Sequence, residues 1–244
     1  MEIEKIKKIL SIDEELSVRG SVIREAYKPE LKQKLVKKFR AYVDLPEPEE
    51  IKIQFTDVVK RRRSARFFGH CGVSASRLST LLYHVVGVTE RVDGIYGLLD
   101  YPLRASPSAG GLHCVDIYVA ALWVEGLEPG VYYYDYDSHR LGVVCRCYPH
   151  TLTEAFMQES LRDVPLVLYM VAALERGLWK YDMAYYKMCL IDAGAVAENL
   201  HLSSTALGLG SLIVAGFDRQ RVKKILGLEE HEIPIVAVVV GCTR

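Results

Sequence analysis

Apolar side chains recur along this chain with two different periods, and the change of period divides it into elements. In residues 1 to about 43, Ile3, Ile6 and Leu10, then Leu31, Leu35 and Phe39, stand at helical spacing among dense Lys and Glu, which predicts a helical lead-in. Pro29 suits the first turn of its second helix. The stretch DLPEPEE, with two prolines and four acids, then breaks the pattern. A boundary there separates an N-terminal helical extension, residues 1–44, from a main domain, residues 45–244.

Within the main domain, Thr56 to Lys60 predicts a short helix. Ser74 to Gly87 predicts a longer one, with Leu78, Leu81, Leu82 and Val85 on one face and Ser74 or Ser76 as its cap. VDIYVAALWV is rich in β-branched and aromatic residues, and GVYYYDYDSHRLGVV reads as a hairpin turning near Asp137 to Arg140. PLVLYMVAAL is a third buried strand, Tyr185 to Leu207 a long helix, and IPIVAVVVG a closing strand with almost no polar interruption. Helices and strands interleave without a repeat, so the fold class is α+β.

Half of the 244 residues are hydrophobic, enough for a full core. Thirty-one basic and thirty-one acidic side chains cancel, so no global field favours nucleic acid or an anionic membrane, and partners must be met at local sites. No apolar run reaches the roughly 20 residues of a spanning helix, and the charged opening MEIEKIKKIL has no secretory h-region; a cytoplasmic protein is expected. The six cysteines are scattered and their one close pair is spaced C-x-C, which argues against a zinc or redox-dithiol site; no metal is expected. Buried small hydrophobes and a disulfide both remain open for them.

Three segments carry candidate chemistry. Arg62, Arg63, Ser64 and Arg66 follow a helix end and alternate guanidinium with hydroxyl, a set that can surround phosphate oxygens from several directions; a solvated basic face would look the same. Pro107, Ser108, Ala109 and Gly110, with Gly111 next, precede a strand. Adjacent glycines admit a ligand close to the backbone there, or simply make a tight turn. In GLGSLIVAGFD, Gly208 or Gly210 can end the long helix in a left-handed cap, and Ala215 and Gly216 can expose backbone N–H groups. Neither G-x-G-x-x-G nor a Walker pattern is present, and no Ser/His/Asp order suggests hydrolysis.

Taken together, PSAGGLH, LEPGVYYYD, WKY, DAGAVAENL, GLGSLIVAGFD and LGLEEHEIPIVAVVVG stand in an order that resembles the nitroreductase superfamily. Within it they resemble the SagB-type dehydrogenases, flavin oxidases that convert azolines to azoles in peptide maturation. The resemblance runs from about residue 45 to the end. It implies a nitroreductase-like fold, a central antiparallel sheet flanked by helices, in an interlocked homodimer with FMN between the subunits and the helix at 185–207 in the interface.

By the same resemblance Arg62, Arg63, Ser64 and Arg66 would hold the FMN phosphate and ribityl chain, Pro107 to Gly110 would run along the isoalloxazine edge, and Ala215 and Gly216 would approach flavin N5. Lys180 and Tyr181 match the pair thought to assist oxidation, where loss of a proton beside the hydride calls for a base or polarising donor. A lysine with a lowered pKa, or a tyrosine hydrogen-bonded to it, could serve. Arg244 stands near the place of a basic residue that touches the phosphate elsewhere in the superfamily. The chain departs from the family after WKY, at Ala195 where a histidine is usual, and at Glu198. His113 could face the flavin or pack in the strand start. Three activities stay open: dehydrogenation of a heterocyclised peptide or related small molecule, NAD(P)H-dependent reduction of nitro compounds or quinones, and a flavin-binding partner subunit with little turnover.

Overall fold

The computed structural model describes residues 2–16, 29–69, 71–147 and 149–243. In chain order its elements are α1 (Glu2–Glu15), α2 (Pro29–Lys34), β1 (Tyr42–Asp44), α3 (Phe55–Arg61), β2 (Val73–Ser74), α4 (Ala75–Val86), β3 (Val88–Val92), β4 (Tyr101–Arg104), β5 (Val115–Ala121) and β6 (Val124–Glu125). They continue with β7 (Gly130–Asp135), β8 (Arg140–Cys145), α5 (His150–Thr153), β9 (Leu166–Ala173), α6 (Leu178–Tyr181), α7 (Ala184–Ala206), β10 (Gly210–Val214), α8 (Arg219–Leu226) and β11 (Glu232–Gly241).

Seven strands form one antiparallel sheet in the order β1-β8-β7-β5-β9-β11-β10, the central antiparallel sheet that the family resemblance implies. Its central strands have almost no polar interruption because both faces are covered. Alternate residues of β9 divide cleanly. Leu166, Leu168 and Met170 join one apolar cluster with α4 and α7, while Val167, Tyr169 and Val171 join another with Phe156 and with Val222 and Leu226 of α8. A period of two therefore fills two cores from one strand.

Several local rules act as the sequence predicts. The Ser74 hydroxyl accepts from the Arg77 N–H at 3.2 Å and caps α4. Ser76 does not cap; it donates to Glu49, which with Thr80 latches the acidic, proline-broken stretch onto this helix. Gly208, at φ 72°, makes the left-handed end of α7.

The lead-in departs from an all-helical reading. Leu31 and Leu35 are buried, yet α2 stops at Lys34 and Phe39 lies outside any helix. Residues 42–44 instead form the edge strand of the sheet, and the Phe39 ring lies on Gly142, where a side chain would collide with it. Two small pairings, β3 with β4 and β2 with β6, were also not anticipated. Among the cysteines, Cys71 pairs with Cys242 and Cys145 with Cys147, while Cys114 and Cys189 are buried thiols. Among the described residues there is no cluster suited to a metal ion, and no helix is long and apolar enough to cross a membrane.

Candidate functional site

The basic loop is set by a helix end and a sheet edge. α3 stops at Arg61, and Ser64 then bridges Ser211 at the start of β10, with the Ala65 N–H donating to the Ser211 carbonyl at 2.9 Å. Arg63 and Arg66 are exposed and Arg62 half-buried. The Arg63 guanidinium donates to the carbonyls of Lys60 and Arg62. No carboxylate among the described residues lies within ion-pair distance of Arg62, Arg63 or Arg66. Three positive charges therefore share one loop without internal neutralisation.

At the far end of β10, Ala215 and Gly216 are exposed, and no backbone acceptor among the described residues takes either N–H. The space where a Cβ of Gly216 would stand is open. Four residues of extended strand, about 14 Å, separate Ser211 from Ala215. One strand thus carries a cationic loop at one end and free N–H donors at the other.

The loop at Pro107 to Gly110 is held from below by α7. Buried Asp192 accepts from the Ser108 hydroxyl at 2.8 Å, from the Ala109 N–H at 3.0 and 3.2 Å, and from the Cys114 thiol at 3.3 Å. The Ser108 hydroxyl is therefore committed to the scaffold rather than offered to a ligand. Asn199, two turns along the same face of α7, donates to the Ser106 hydroxyl and to the carbonyls of His84 and Val85. Gly110 and Gly111 take φ of 61° and 66°, which side chains rarely adopt.

Over Gly110 lies the lysine and tyrosine pair. A Cβ added there would meet the Tyr181 hydroxyl at 2.6 Å, the Tyr96 hydroxyl at 3.0 Å and Lys180 Nζ at 3.3 Å. The structure therefore brings Lys180 and Tyr181 to the glycine loop across about seventy residues of sequence, and adds Tyr96. Lys180 Nζ donates to the Tyr96 hydroxyl at 2.9 Å, and that hydroxyl donates to the Gly110 carbonyl at 2.5 Å. Tyr181 stacks on Tyr185 at 6.0 Å.

A lowered lysine pKa is not what this geometry produces. Burial pulls Lys180 down, but its hydrogen bond to Tyr96 and its proximity to Tyr96 and Tyr181 outweigh burial and hold it above the ordinary lysine value. Its ammonium therefore persists through neutral pH, which suits a donor better than a base.

His113 does not face the site. It is buried, stacks on Tyr101, and donates from Nε2 to the Pro102 carbonyl at 2.7 Å. Glu198 is exposed, 3.9 Å from His201, and Ala195 is half-buried. On α7, Ala193, Ala197 and Leu200 are buried, whereas Leu190 is 39% exposed. Arg244 lies outside the described residues.

The candidate residues thus form two groups, each braced by a residue of α7. Asp192 marks the first, with the glycine loop, Lys180 and Tyr181. His201, bonded to the Ser211 carbonyl at 3.1 Å, marks the second, with the basic loop and β10. Nine residues of helix, about 14 Å, lie between them. Sequence reading missed Tyr96, although the surrounding G-I-Y-G marked an irregular turn, and missed Asp192 as an anchor although it begins DAGAVAENL.

The sequence model of the Nitroreductase family matches residues 59–242. A Methanocaldococcus jannaschii protein assigned as a nitroreductase is 30% identical over 198 residues, 80% of this chain and 94% of that one. The microcin B17-processing protein McbC of Escherichia coli is 26% identical over 148 residues, 57% of this chain and 54% of McbC, so the match spans about half of that relative. A crystal structure of a protein from Ralstonia eutropha assigned as a nitroreductase superposes with a TM-score of 0.70 at 25% identity, covering 93% of this chain and 97% of that one. The E. coli microcin synthetase McbBCD complex with truncated pro-MccB17 bound contains a chain that superposes with a TM-score of 0.66 at 20% identity, covering 100% of this chain and 94% of that one.

Proposed function

The chain belongs to the nitroreductase family, and from that premise we propose that it is an FMN-dependent oxidoreductase of SagB type, acting on an azoline or a related planar substrate. The placement of Lys180 and Tyr181 directly over Gly110 carries this reading. Similarity to the microcin B17-processing protein supports the choice of a dehydrogenase within the family.

The residues present fit a phosphate-bearing flavin. Arg62, Arg63 and Arg66 have no acidic partner among the described residues, and the N–H groups of Ala215 and Gly216 lie at the other end of β10 beside open space. The basic loop with Ser64 would take the phosphate and ribityl chain, and Pro107 to Gly110 the edge of the ring. When bound, the flavin supplies a two-electron acceptor for hydride. Asp192 fixes the loop that the ring would lie along. Lys180, held charged, and the Tyr181 hydroxyl present donors to a substrate heteroatom, which favours loss of a proton from the carbon beside it.

The α7 residues that brace the two groups are about 14 Å apart along the helix, and in the proposed homodimer a group from one chain would stand beside the complementary group of its partner. The outward face of α7, with Ile191 65% exposed beside Leu190, offers apolar surface for that contact.

Freshly purified protein tests the cofactor: released FMN supports the reading, and a colourless protein that also ignores added FMN overturns it. With flavin bound, Lys180→Ala is expected to abolish substrate oxidation while flavin stays bound. Rapid bleaching of wild-type flavin by NAD(P)H, with turnover of nitro compounds or quinones indifferent to Lys180, would instead establish the reductase activity. Bound FMN without turnover by any donor would leave a flavin-binding partner subunit.

A further inference from the structure

Tyr96 has a backbone that its own chemistry does not favour. It takes φ 52° and ψ 27°, the left-handed region, in a turn where Gly94, Gly97 and Asp100 also have positive φ. For a bulky aromatic residue this conformation is unfavourable, so the surroundings must hold it. The Asp93 side chain accepts from the Asp100 N–H at 2.8 Å, and the Gly94 N–H donates to the Leu98 carbonyl at 2.8 Å, closing the turn. The Tyr96 ring stands edge-on to Trp179 at 5.6 Å and to Tyr101 at 6.2 Å.

What the strained conformation achieves is visible at the hydroxyl. Its single proton goes to the Gly110 carbonyl at 2.5 Å, and its lone pair takes one proton of the Lys180 ammonium at 2.9 Å. One phenol therefore ties the 93–100 turn, the glycine loop and α6 together. The Tyr181 side chain adds a second, weaker contact to the same ammonium, and Nζ stands over Gly110.

We propose that Tyr96 is a positioning residue, whose hydroxyl sets the place of the Lys180 ammonium against the glycine loop. The inference rests on the reading of Lys180 as a group that acts at the flavin-faced site. The raised ionisation of Lys180, to which the Tyr96 hydrogen bond contributes against the effect of burial, agrees with it. The strain agrees as well, since a turn selected only for stability would carry Asn or Gly at this position.

The test is the Tyr96→Phe variant of the full-length protein as purified, which keeps the ring against Trp179 and Tyr101 and removes only the hydroxyl. The ionisation of Lys180 is followed by competitive acetylation across pH, read by peptide mass spectrometry and assigned with Lys180→Arg. The expected result is a lower Lys180 midpoint than in wild type, unchanged flavin content, and kcat reduced roughly tenfold at unaltered KM. Tyr96→Asn provides a second variant: it suits positive φ, so it removes the hydroxyl without adding backbone strain, and it should move the midpoint in the same direction. A Lys180 midpoint that coincides with wild type in both variants overturns the proposal. A shifted midpoint in a protein without flavin or turnover would uphold the Tyr96 and Lys180 linkage while the functional reading failed. An unmoved midpoint with turnover that still depends on Lys180 would do the reverse.

Discussion

Arg176 and Asp116 meet inside the protein as a two-pronged ion pair, with both side chains 1% exposed and N–O distances of 2.9 and 2.7 Å. Two further donors of Arg176 are taken by the His113 carbonyl and, at 2.8 Å, by the Lys34 carbonyl. The pair thus joins the end of the glycine loop, the turn before Lys180 and the N-terminal lead-in. Asp116→Asn leaves a buried guanidinium without its counter-charge, and a loss of about 3–5 kcal/mol in urea unfolding is expected. A loss below about 1 kcal/mol would mean that the site relaxes to admit water, and that the pair does not anchor these segments.

Asp192 is the corresponding anchor on the other side of the loop. Its carboxylate accepts from Ser108, Ala109 and Cys114, so Asp192→Asn replaces one acceptor with an amide that must point a donor at another donor. Stability should fall by about 1–3 kcal/mol. If the loop positions the flavin edge, the Kd for FMN should rise roughly tenfold in equilibrium dialysis. A stability loss with unchanged flavin affinity would place the loop away from the cofactor.

Much of the frame was legible because it rests on period and on single-residue rules. The uninterrupted apolar run of β11, the cap at Ser74 and the left-handed glycine at 208 each have a local cause, and local causes can be read from sequence. The edge strand at 42–44 was hidden because Leu31, Leu35 and Phe39 share a helical spacing while only the first of them lies in a helix, and the place of Phe39 is decided by Gly142, about a hundred residues away. The basic loop, glycine loop and Lys180 pair were recognisable by motif order. Their anchors were not, because Asp192 and Tyr96 act through contacts 83 and 14 residues distant that leave no spacing signal.

His113 gives the fold a pH dependence of definite sign. Burial first, and then the nearby Arg104 charge, lower its pKa to about 3. Its Nδ1 has no hydrogen-bond partner among the described residues, so a second proton would enter a dry, positively biased place. The unfolded chain takes that proton near 6.5, so the neutral histidine supports stability fully above that pH and progressively less as pH falls toward 3, with a limit of about 5 kcal/mol. Asn accepts the positive φ that residue 113 adopts. Between pH 7 and 4 the unfolding free energy of His113→Asn should therefore fall less steeply than that of wild type. Parallel curves would show that His113 is protonated in the native state.

Gly216 separates the donor role of its backbone from its lack of a side chain. A Cβ there would meet nothing within 4 Å, so Gly216→Ala should leave the fold, flavin affinity and flavin potential as they are. Gly216→Pro adds a comparable Cβ but deletes the N–H, which has no backbone acceptor among the described residues. If that N–H approaches flavin N5, the oxidised ring loses a donor that readies it for hydride, and the midpoint potential of bound flavin should fall in the proline variant alone. The measurement is a reductive titration of all three proteins followed by absorption. Equal potentials with retained flavin would remove Gly216 from the site, whereas flavin lost from Gly216→Ala as well would mean that the open space itself, rather than the N–H, receives the ring.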